Sequence, residues 1–243
     1  IELPTAMAPV AWHAHEMLFG FAMAAVAGFM LTAIPNWTGR LPLSGWPLAL
    51  LAGLWLAGRL ATLTSAWIGP LAGAVIDLAF PAALLAVVVR EVAAGKNWRN
   101  LPVCVGAAVL LAANLLTHLE PIGVTDTAGL GQRLGIGALA MLVALIGGRI
   151  VPGFTTNALR QQGETRLPAA FGRFDRALLA FSVVAMIGWV VAPEQPLVGV
   201  LLVLAGLGHA GRLARWRSLA TRGEPLLWVL HLGYAWLALG LVL

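Results

Sequence analysis

Residues 101–119 read LPVCVGAAVLLAANLLTHL, without one Asp, Glu, Lys or Arg. At 1.5 Å per residue, such a run spans roughly the hydrocarbon thickness of a bilayer. Applied outward along the chain, the same reading gives eight candidate spans, at 12–35, 46–64, 67–90, 101–119, 129–150, 175–192, 196–214 and 224–243. None shows period-two alternation with turn signals, which excludes a β-barrel. The expected fold is all-α, a polytopic transmembrane helix bundle in which 1–243 forms a single bundle.

Composition agrees. Of the 243 residues, 60% are hydrophobic and 10% charged, against about 25% charged in soluble domains. Too few polar side chains exist to cover a soluble globule, so a soluble enzyme, a disordered tail and a disulfide scaffold are excluded, and the lipid bilayer is the expected partner. The excess of 15 basic over 10 acidic residues forms no dense basic face with stacking aromatics, so nucleic acid is not an expected partner. Cys104 is the single cysteine, which excludes an internal disulfide and a cysteine metal cage. Small residues recur inside spans, as in Ala24, Gly28 and Ala33 or Gly131, Gly135 and Ala138, where they let helices approach closely. Phosphate-loop, dinucleotide, GxSxG and HExxH signatures are absent.

Thirteen of the 15 basic residues fall in the loops after the first, third, fifth and seventh spans; Arg59 and Arg133 are the others. By the positive-inside rule those loops face the cytoplasm and both ends face outward, into the periplasm of a bacterium. The chain starts at Ile1 and shows no signal-peptide pattern, so it is expected to be an internal segment of a longer membrane protein.

Ionisable residues inside spans are costly and are functional candidates. His209 and His231 lie roughly 10 Å inside the same boundary, on spans expected to be antiparallel neighbours. Two imidazoles are what a low-spin haem iron requires; interhelical or interfacial hydrogen bonding is the other reading of each. Arg149 reads either as a clamp on a haem propionate or as a helix-end anchor. At the outer face, Trp12-His13-Ala14-His15-Glu16-Met17 is rich in ligand types. On a regular helix His13 and His15 face nearly opposite ways. His13, Glu16 and Met17 then form one copper-binding face, the soft thioether suiting the cuprous ion, with His118 as partner from another helix. His15 is left for a haem or a hydrogen bond. Ordinary interfacial polarity is the competing reading. Asp77 reads as a proton-path residue or as the partner of Arg59, Asn114 as a helix–helix hydrogen bond, and Trp216 as part of an interfacial belt.

These stretches resemble a known family. WHAHEMLFGF at 12–21, GFMLTAIPNWTG at 28–39, GGRIVPGFT at 147–155 and LWVLHLGYAW at 227–236 are similar to signatures of the NnrS family. The resemblance implies a bacterial inner-membrane protein of about twelve spans, carrying haem b and copper and linked to nitric oxide metabolism and protection against nitrosative stress. Nitric oxide or a nitrosylated species is the implied ligand. His13, His15, Glu16, Arg149 and His231 are the implied site residues. Gly208-His209-Ala210-Gly211-Arg212 is similar to a Gly-His-Thr-Gly-Arg element of the family. A small-solute or proton-coupled transporter without redox cofactor is the alternative.

Overall fold

A computed structural model describes residues 3–243. Among the described residues, eight helices are long and apolar enough to cross a membrane: α1 (Pro9–Thr38), α2 (Trp46–Leu63), α3 (Pro70–Ala94), α4 (Trp98–Leu119), α5 (Ala128–Gln161), α6 (Arg173–Val191), α7 (Pro196–Ala214) and α8 (Pro225–Val242). Pro47, Pro70, Pro196 and Pro225 stand in first turns, where the missing N–H costs nothing and the fixed φ favours the helix. Gly39 ends α1 at φ 69°, a left-handed cap. Among the described residues there is no strand. Large apolar side chains such as Leu56, Leu60, Val105, Val184 and Leu204 stay exposed, the arrangement of helices whose outer faces meet lipid rather than water.

The expected span boundaries hold to within a few residues, except at α5. There the 151–174 stretch, expected as a polar connection, begins with a further run of helix to Gln161, through Pro152. The polar residues of 155–161 mark the departure from lipid and not the end of the helix. A membrane helix tolerates an internal proline because its neighbours re-satisfy the freed backbone. Pro81 likewise lies inside continuous α3.

The chain divides into two compact units, Ile1–Ala138 and Leu139–Leu243. In the first, α3 is central and packs on α1, α2 and α4, with Met23, Met30, Leu84, Val88 and Leu110 in the core. In the second, α7 packs on both α6 and α8. Its core includes Met186, Ala205 and Leu241 in one cluster and Val151, Trp216 and Tyr234 in another. Trp216 is 2% exposed, so it is a core residue and not part of an interfacial belt.

Close approach of α7 and α8 depends on Gly206. A Cβ there would lie 2.7 Å from the Ala238 carbonyl oxygen and 3.1 Å from the Leu241 Cβ. Gly206→Leu is expected to cost at least about 1–3 kcal/mol through overpacking, read as a lower thermal midpoint in detergent. Gly199→Leu on the same helix, with nothing within 4 Å of its added Cβ, is the control and is expected to leave the midpoint unchanged.

Candidate metal centre

The first unit gathers its polar side chains around Asp77, 1% exposed on α3. Gly58 makes this possible from α2, because a Cβ there would lie 2.8 Å from Asp77 Oδ1. From the next position on α2, Arg59 reaches the same carboxylate: Nη2 pairs with Asp77 Oδ1, and Nη1 donates to Glu16 Oε1 at 2.7 Å. Thr62 Oγ1 lies 2.9 Å from the same Glu16 oxygen. The pairing of Asp77 with Arg59, one of two readings open from sequence, is thus present. So is the Asn114 hydrogen bond between helices, since Nδ2 donates to Asp77 Oδ2 at 2.8 Å.

The other oxygen, Asp77 Oδ2, faces two imidazoles. His118 Nε2 is 3.0 Å away and His15 Nε2 is 3.2 Å away. The two rings lie edge to face with centroids 4.9 Å apart. One ligand atom from each of His15, Asp77 and His118 lies within 4.8 Å of the others. His15 Nε2 also sits 2.8 Å from Asn114 Oδ1, and its Nδ1 sits 3.3 Å from Glu16 Oε1. Each of these three neighbours of the His15 nitrogens is an oxygen acceptor. A neutral imidazole has one N–H and satisfies only one side. The other side needs a second proton or a cation lying among Nε2, Oδ2 and the His118 nitrogen. Charge points the same way: two carboxylates against one guanidinium leave one negative charge uncompensated in a buried site.

Two imidazole nitrogens and one carboxylate oxygen form a ligand set for a borderline divalent metal, with Glu16 placed to accept the outer N–H of His15 and fix its tautomer. A cavity of about 10 Å³ adjoins His118, lined also by Met7, Thr62 and Ser65; this is room for about one water and suits an open ligand position. Copper in its cupric form fits these donors. The set lacks the sulfur that favours the cuprous ion.

The structure separates the expected outer cluster. His15 is buried, while His13 and Met17 are exposed, so it is His15 that meets His118. Glu16, expected on the face of His13 and Met17, lies instead against His15. The chain adopts π-helical turns over Glu16–Ala22, a feature that often marks functional sites. Thr62 and Gly58 were missed, and so was Asp77 as a ligand, since it was read only as a proton-path residue or the partner of Arg59; its place as an acidic residue deep in an apolar span was the available signal.

In the second unit His209 has both nitrogens engaged, Nε2 with Ser182 Oγ at 3.0 Å and Nδ1 with Tyr234 Oη at 2.7 Å. His231 differs. Thr155 Oγ1 donates to the Val151 carbonyl at 2.8 Å and lies 2.9 Å from His231 Nε2. With the hydroxyl proton spent, Nε2 carries the hydrogen, so His231 Nδ1 is a bare lone pair. It is buried and has no hydrogen-bond partner. That unpartnered nitrogen could hold a metal such as haem iron, whereas His209, with both nitrogens engaged, offers no free one. Arg149 is exposed. The buried guanidinium here is Arg212, 0% exposed, which sequence reading assigned to a loop.

His15→Ala, His118→Ala and Asp77→Asn are each expected to abolish stoichiometric binding of a divalent metal, titrated in detergent against a chromophoric chelator. Glu16→Gln is expected to weaken it about 10–100-fold, the usual cost of losing an orienting carboxylate. His13→Ala is expected to bind as the unaltered protein does; equal loss from His13→Ala and His15→Ala would place the metal elsewhere.

No curated protein and no solved structure matches the chain. The family model described as NnrS protein matches residues 1–243, from one end of the chain to the other. This multi-pass membrane protein therefore belongs to the NnrS family.

Proposed function

We propose that this protein is a haem- and copper-binding protein of the bacterial inner membrane that acts in nitric oxide metabolism and protects against nitrosative stress. The observation that carries the reading is the convergence of His15, Asp77 and His118 on one buried point. Family membership adds support. On this reading His15, His118 and Asp77 would hold copper, and His231, whose Nδ1 has no hydrogen-bond partner, would hold haem b. The ends of the segment lie in the periplasm, on the distribution of basic loop residues.

Copper so bound supplies a one-electron redox centre with room for a small ligand. The protein's own side chains do the rest. Glu16 orients His15. Arg59 holds the Asp77 oxygen that faces away from the imidazoles, and so directs the other toward them. Asn114 bridges His15 and Asp77. The surrounding helices exclude bulk water, which strengthens each of these interactions. Nitric oxide or a nitrosylated species is the ligand class this reading assigns to the open position.

The test is the metal content and visible spectrum of the purified full-length protein, with growth of a deletion strain under nitric oxide. The expected result is copper near one per chain, a Soret band, and complementation by the unaltered protein but not by Asp77→Asn at equal membrane abundance. A folded protein free of both metals, or full complementation by Asp77→Asn, overturns the proposal.

A further inference from the structure

The second unit holds a hydrogen-bonded cluster that the copper site does not use. Ser182 Oγ donates to the Leu178 carbonyl at 2.8 Å. Its proton is thereby spent, so at 3.0 Å it accepts from His209 Nε2. A neutral His209 then presents a lone pair at Nδ1, 2.7 Å from Tyr234 Oη, and the phenol must donate to it. Arg212 Nη1 donates to the same phenol oxygen at 2.9 Å and to the Ala144 carbonyl at 2.8 Å, which leaves the phenolic hydrogen pointing at the imidazole. Every donor direction in this chain follows from the one before it.

The charged groups facing the pair are Arg212, Asp175 and Arg215. Arg212 Nε donates to Asp175 Oδ1 at 2.8 Å, and Arg215 Nη1 lies 3.4 Å from Oδ2. The carboxylate offsets the buried guanidinium beside the phenol. On its other side, Tyr234 packs against Trp216 with ring centroids 4.5 Å apart, and Trp216 lies 6.4 Å from the His231 ring. A phenol with a base on its proton and an aromatic path to a candidate metal ligand is arranged for coupled loss of an electron and a proton.

We infer that Tyr234 is a redox-active side chain whose oxidation is coupled to proton transfer to His209. A one-electron-oxidised metal centre takes an electron from Tyr234, by way of Trp216. The phenolic O–H bond breaks and an N–H bond forms at His209 Nδ1. The products are a neutral tyrosyl radical, an imidazolium and the metal centre reduced by one electron; return of an electron and the proton restores the start. The identity of the oxidant rests on the haem reading above, whereas the Tyr234–His209 pair does not.

Tyr234 is the only tyrosine in the sequence, and the part of a tyrosyl signal lost in Tyr234→Phe is the part that reports it. Full-length protein in detergent, produced without haem and stripped of other metal by chelation, is frozen, photolysed with ultraviolet light and read by electron paramagnetic resonance. The expected result is a tyrosyl radical, absent from Tyr234→Phe, with one strongly coupled exchangeable proton. In His209→Gln, whose amide is no base, the radical lifetime is expected to fall about tenfold or more. No tyrosyl signal in the unaltered protein, or an unchanged lifetime in His209→Gln, overturns the inference. Should His209→Gln fail to fold, the unaltered protein decides: slower radical decay in D₂O supports proton coupling, and equal decay overturns it. The metal-loaded protein treated with hydrogen peroxide separates the two readings. A radical there supports the metal as oxidant. A radical from light but none from peroxide overturns the metal clause and leaves the pair standing.

Discussion

The ion pair between Arg59 and Asp77 is the interaction on which the first unit depends. A carboxylate taken out of water costs several kcal/mol or more unless it is paired and hydrogen-bonded. Asp77 meets that demand with a guanidinium on one oxygen and an amide on the other. Arg59 in turn holds Glu16, and Glu16 lies against His15. Helices α1, α2, α3 and α4 each contribute a side chain to this cluster, so α3 can be central only because Asp77 is satisfied by its three neighbours. Gly58 and Gly20 supply the space. A Cβ at Gly20 would lie 2.7 Å from Arg59 Nη1. Pro81 adds a backbone element, since it removes the donor that would otherwise bond the Asp77 carbonyl one turn earlier.

The second unit solves the same problem with the same residue types. Asp175 and Arg212 form a buried pair between α6 and α7, and an imidazole stands close by. The outcome differs because the histidines differ in what their neighbours have to give. Around His15 the neighbours are acceptors, so the arrangement calls for a second proton or a bound cation. Around His209 the neighbours are hydroxyls whose protons can be assigned in order, so the chain closes on itself. His231 is intermediate, with one nitrogen donating and the other bare.

Hydropathy made the eight spans legible, because a helix in lipid must be apolar over its whole crossing whatever it packs against. Depth was legible too: Asp77, Arg59 and Asn114 stood out as polar residues in apolar runs, and their mutual pairing follows from the cost of leaving any one alone. The facing of each residue at a helix start was harder. His13 and His15 are correctly opposed by helical geometry, yet sequence does not say which face turns inward, and the thioether of Met17 drew the reading toward His13. Burial of Gly20 against Arg59 decides it in favour of His15. Arg212 and Trp216 were misplaced for a related reason. They fall where α7 gives way to a short connection, and in sequence such residues look like a charged loop and an interfacial ring. Only the return of α8, bringing Tyr234 against both, makes them core.

The central claim is that the buried point among His15, Asp77 and His118 is a metal centre with nitrogen and oxygen donors. X-ray absorption at the copper edge of the purified full-length protein tests it most directly. The account predicts nitrogen and oxygen neighbours at roughly 2.0 Å, with outer-shell scattering from two imidazole rings and no sulfur shell. A sulfur neighbour near about 2.3 Å, or the scattering of fewer than two imidazoles, would contradict it.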